Sequence, residues 1–105
     1  MAEDWNAVAQ QAIAAAAASL GATWNTVGTA ASHSVQVLTE TAQFITANAA
    51  QMNADEQNLL IDNQQLAMKN VLLGFQDIGI VAAEKAVAAA WAVIQTALTA
   101  ALTRV

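Results

Sequence analysis

The chain has 105 residues and a mass of 10.9 kDa, enough for one small domain and too short for two. Eight acidic against three basic residues leave a net charge of −5, and Lys69, Lys85 and Arg104 stand apart. This excludes a nucleic-acid binder, which needs clustered Lys and Arg against phosphates. There is no cysteine and hence no disulfide framework, and the acidic start Met1-Ala2-Glu3-Asp4 is unlike a signal peptide. Cytoplasmic synthesis and assembly are therefore expected.

Apolar residues make up 57% of the chain, but 28 of the 105 positions are alanine, whose side chain buries little area. Large apolar residues are sparse, so a lone subunit has a thin core that association would relieve. Only 10% of residues are charged, against about 25% in ordinary soluble domains. A surface of amides, hydroxyls and methyl groups suits being covered better than standing alone in water.

In chain order, Glu3 and Asp4 favour a helix start, and Trp5 to Leu20, with five alanines at 14–18, is strongly helix-forming. Gly21 closes this first unit, residues 1–21. Residues 22–29 mix β-branched residues with Gly28 and read as a turn or weak helix. From residue 30 a seven-residue step from Leu38 meets Ile45, Met52, Leu59, Leu66, Leu73, Ile80, Val87, Ile94 and Ala101, all apolar. Such a repeat predicts heptad-like, left-handed packing of alanine-rich helices in an all-α fold. Trp91 joins this seam as an anchor between Ala88 and Ile94.

A companion series three residues earlier is apolar at its ends and polar in its middle, at Glu56, Asn63, Asn70, Asp77 and Glu84. Leu60, Ala67, Gly74, Val81 and Ala88 lie beside the main stripe there, with Val71 and Ile78 adding to it. The apolar face thus shifts around the helix, which favours several helical neighbours over a two-stranded coil. Unbroken phase favours a long helix that spans residue 55; a single helix over all of 30–105 would measure about 110 Å. Two breaks compete with it and would give a hairpin or bundle. Asn53-Ala-Asp-Glu56 has the form of a capping box, and residues 74–79 could hold a turn with Asp77 capping the last helix.

No residues combine into a catalytic, cofactor-binding or metal site. His33 lies between Ser32 and Ser34, which on a helix do not face it, and Asp55, Glu56 and Asp62 match no metal-loop pattern. Buried amides at Asn63 and Asn70 could set register and partner number. Were Glu56, Asp77 and Glu84 covered in an assembly, their ionisation would oppose burial, and packing would respond to pH. The stretch from Ile78 to Ala101 approaches membrane-spanning length only by accommodating Glu84, Lys85 and Gln95, so membrane contact is possible but not favoured.

The segment Thr41-Ala-Gln-Phe-Ile-Thr-Ala-Asn-Ala-Ala-Gln-Met-Asn53, with Gln57-Asn58 and Asn63-Gln64-Gln65, resembles the small structural proteins of bacterial refractile bodies (R-bodies). The resemblance implies a building block of a coiled protein ribbon that extends on acidification and disrupts membranes. The Trp-rich N-terminal part and Leu59-Leu60-Ile61 depart from that pattern. Taken together, the expected function is a structural, self-assembling, non-catalytic subunit of a filament, ribbon or sheet, partnered by copies of itself or close paralogues. A helical protein-binding module and a membrane-active helical protein are the alternatives.

Overall fold

The computed structural model describes residues 4–103. The expectations for Glu3 at the helix start, for Arg104 and for Val105 lie outside them. Helix α1 spans Trp5–Leu20. Its start is set by Asp4, whose carboxylate accepts from the Ala7 N–H at 3.2 Å, where negative charge also complements the helix dipole. Gly21 ends it with φ 60° and ψ −134°, a conformation that costs other residues a Cβ clash, and its N–H bonds the Ala17 carbonyl. A single 3-10 turn, Gly21–Thr23, then leads directly into α2, Trp24–Ala47.

The second helix therefore begins at residue 24, not 30, and the expected turn or weak helix over 22–29 is corrected. Gly28 is the reason. It lies inside the helix with the Trp24 indole laid over it, and a Cβ there would stand 2.9 Å from the indole Nε1. The glycine makes room for a half-buried tryptophan one turn away and does not break the helix. Val27, at 1% exposure, and Ala31 carry the adjoining face into the core.

At the far end of α2, Asn48 turns back on Phe44. Its backbone N–H and side-chain Nδ2 both donate to the Phe44 carbonyl, at 3.0 and 2.9 Å. A 3-10 turn at Ala49–Gln51 and the extended Met52 follow, then α3, Ala54–Leu73. Its cap is reciprocal: Asn53 Oδ1 accepts from the Glu56 N–H at 2.8 Å, and Glu56 Oε1 accepts from the Asn53 N–H at 3.0 Å. The chain reverses here. Phe44 lines a hollow with Leu60, while His33 lines another with Val71, as two antiparallel helices require.

The favoured long helix spanning residue 55 is thus overturned, and with it a single helix over 30–105. The molecule is 41 Å along its longest axis, far short of about 110 Å for that helix. Leu73 closes α3, and the segment 74–79 turns through successive bonds from Phe75 to Leu72 and from Ile78 to Phe75, with Ile78 buried. Helix α4 spans Ile80–Thr103. The Gly79 carbonyl takes its first helical bond, from Ala83 at 3.0 Å, so Asp77 lies ahead of the helix and does not cap it.

The four helices form an up-and-down bundle in which α1 packs most extensively on α4, α2 on α3, and α2 also crosses to α4. Among the described residues, the bulkiest fully buried side chains are Val27, Val35, Leu38, Ile45, Met68, Leu72 and Ile94, from α2, α3 and α4. Helix α1 buries smaller residues, Val8, Ala9, Ala12 and Ala16, and α4, on which it packs most, buries Ala83, Ala86, Ala90 and Ala97. Alanine faces let backbones approach closely, so contact area replaces side-chain bulk. Thr39, the one buried polar residue among those described, returns its hydroxyl to the Val35 carbonyl at 2.9 Å.

Candidate functional site

The bundle divides the seven-residue series into two parts. Leu38, Ile45 and Ile94 are fully buried and Val87 nearly so, while Met52, Leu73 and Trp91 are half-buried at the edge of the core. Leu59, Leu66 and Ile80 point outward, at 61%, 54% and 60% exposure. The series is therefore not one continuous seam. The reversals at 48–53 and 74–79 rotate each helix independently, so equal sequence phase ends on different faces of the molecule.

On α3 this has a specific result. Ile61, Met68 and Leu72 face the core, and Leu59 and Leu66 stand on the opposite side with Asn63 and Asn70 between and beyond them. Residues 59, 63, 66 and 70 recur at the four-three spacing of a coiled-coil stripe. Helix α3 thus has an apolar face inside and a second, partly apolar face outside.

Glu56, Asn63, Asn70, Asp77 and Glu84 are all exposed. The covering that would oppose their ionisation is not supplied by the subunit itself, and the Glu56 carboxylate is already engaged in capping α3. Glu84 reaches Lys69 across α3 and α4 at 3.2 Å. Both side chains are solvent-accessible, so this pair orients the helices more than it stabilises them.

A groove between α2 and α3 was not legible in the heptad count. Val37, Phe44, Leu60, Ala67, Met68 and Val71 line it as two adjoining open hollows of about 180 and 360 Å³. Phe44 is 55% exposed there. The only signal was that Val37 and Phe44 themselves stand seven apart, one residue before the buried Leu38 and Ile45.

His33 is exposed on α2, at the rim of a shallow depression with Trp24, Gly28 and Gln36. Among the described residues, no three His, Asp or Glu side chains come together in a way that could hold a metal ion. Helix α4 is long and apolar enough to cross a membrane, with a mean hydropathy of 1.6 over its best window. Eight of its residues, from Ala83 to Ala101, are buried by the other helices, and 39% of that apolar window is buried in all. Comparison of the chain with protein-family models, curated proteins and solved structures finds no match.

Proposed function

We propose that this chain is a structural, non-catalytic helical subunit that assembles with copies of itself. The outward leucines of α3 carry this reading. Leu59 and Leu66 lie on a stripe of regular spacing that the subunit's own core does not use. The low charge of the chain supports it, because few charged groups would need to be stripped of water when subunits meet. The likeness of residues 41–65 to R-body proteins points to the same class of function. A closed two-fold contact gives only dimers, whereas a filament, ribbon or sheet needs a further surface. The exposed pair Ile80 and Val81 offers one.

The Phe44 groove favours a second reading, a module that binds a helix of a different protein between α2 and α3. Multi-angle light scattering with negative-stain microscopy on the purified chain separates the two. Dimers or larger ordered particles in detergent-free buffer support self-assembly. A monomer at all concentrations up to the millimolar range would overturn it and leave the binding module.

A further inference from the structure

Building on that self-assembly reading, we infer that the partner covering the outer face of α3 is the same face of a second copy, with the two α3 helices antiparallel about a two-fold axis between Asn63 and Leu66. The stripe defines a heptad frame. Leu59, Leu66 and Leu73 occupy one seam position, and Glu56, Asn63 and Asn70 the other. In an antiparallel pair these two positions alternate across the interface, so Asn63 meets Leu66 of the second copy and Asn70 meets its Leu59.

Three observations select this partner and this direction. The first is charge. Asp62 and Lys69 lie on the same flank of the stripe, seven residues apart and opposite in sign. The antiparallel register centred between Asn63 and Leu66 sets Asp62 of each copy beside Lys69 of the other, twice per dimer. A parallel pair would set Lys69 beside Gly74 and would place the two Glu56 carboxylates opposite each other.

The second is register. Helix α3 runs from Ala54 to Leu73, so its midpoint falls between Asn63 and Gln64. The charge-matched register staggers the two helices by only about two residues from full overlap. On the other flank Leu60 then meets Ala67 of the second copy, and no acidic residue is forced against another.

The third is area. A standard interface takes about 800 Å² from each partner, about one seventh of the 5986 Å² that this chain exposes. The outward face of α3, with its flanks, would have to supply a patch of that size. Lys69 keeps Glu84 as an intrachain partner, so its ammonium would bridge two carboxylates at the rim.

Sedimentation equilibrium on the wild-type chain, Leu66→Glu, Asp62→Lys and the double variant Asp62→Lys/Lys69→Asp tests the pairing, with circular dichroism to show that each remains folded. Leu66 is exposed within the subunit, so Leu66→Glu should leave the helices intact. It should weaken association by about 100-fold or more, because each dimer loses two buried leucines and gains two carboxylates. Asp62→Lys should weaken it by about tenfold, as two rim pairs become repulsive, and the double variant should restore it. A wild-type chain that never associates would overturn both this pairing and the self-assembly reading. Association that Leu66→Glu leaves unchanged would overturn the α3 interface alone, with assembly running through another surface. Loss on Leu66→Glu, with the double variant failing to restore what Asp62→Lys loses, would overturn the antiparallel arrangement.

Discussion

Leu38 sits in α2 with no solvent contact, among the bulkiest buried side chains of the bundle. Truncating it to alanine removes its transfer energy and leaves a cavity that rigid helices fill only partly. Leu38→Ala should therefore cost about 2–5 kcal/mol. Leu59, three heptads further along the same series, is mostly exposed in the subunit. Leu59→Ala should change subunit stability by no more than about 0.5 kcal/mol. Urea denaturation of both variants at low protein concentration measures the contrast, and equal losses would mean that α3 turns a different face to the core. Nothing in residue type separates the two leucines. Asn63 and Asn70 likewise stood out in the sequence as amides on an apolar-phase stripe, but that stripe is solvent-facing within one subunit.

At the scale of elements, local chemistry was readable wherever it is self-contained. The capping box at Asn53 and Glu56 needs four residues and no tertiary contact, and it forms with both reciprocal bonds. Asn53→Ala removes the Oδ1 that accepts from the Glu56 N–H and leaves that backbone donor without its side-chain partner. It should lower stability by about 1 kcal/mol, read as a shifted urea midpoint at unchanged slope. Gly28 was misread for the opposite reason. Taken alone, glycine between β-branched residues signals a break, yet here it accepts the Trp24 ring at a distance that a methyl group would obstruct. The extent of the last helices was misjudged by the same kind of error. Phase continuity from Ile45 through Met52 to Leu59 survives a chain reversal because the intervening turn happens to conserve the count of seven, not because the helix continues.

At the scale of the whole molecule, the helices contribute unequally to the core. Helix α1 buries Val8 and alanines with Trp5, Ile13 and Leu20 packed beside them, while the bulkiest buried side chains come from the other three. An association that buries α3 would then raise the apparent stability by mass action. The melting temperature of the wild-type chain should rise by about 3 °C for each tenfold increase in concentration, given typical unfolding enthalpies for a chain of this length. Leu66→Glu should melt at a temperature independent of concentration. Differential scanning calorimetry over a hundredfold range decides this, and a flat wild-type series would mean that unfolding is not coupled to assembly.

By itself the sequence determined that the chain is all-helical and where its first helix starts and stops, because these depend on propensity and on bonds within one turn; it offered a cap at Asn53 but favoured a helix running through it. It also determined that apolar side chains recur every seven residues. Which of those side chains form the core and which face outward was decided only by tertiary structure. A heptad phase states the angle of each residue about its own helix axis. Only the packing of four antiparallel helices states which angle points inward. That choice buries Leu38 and Ile94 and leaves Leu59 and Leu66 in solvent.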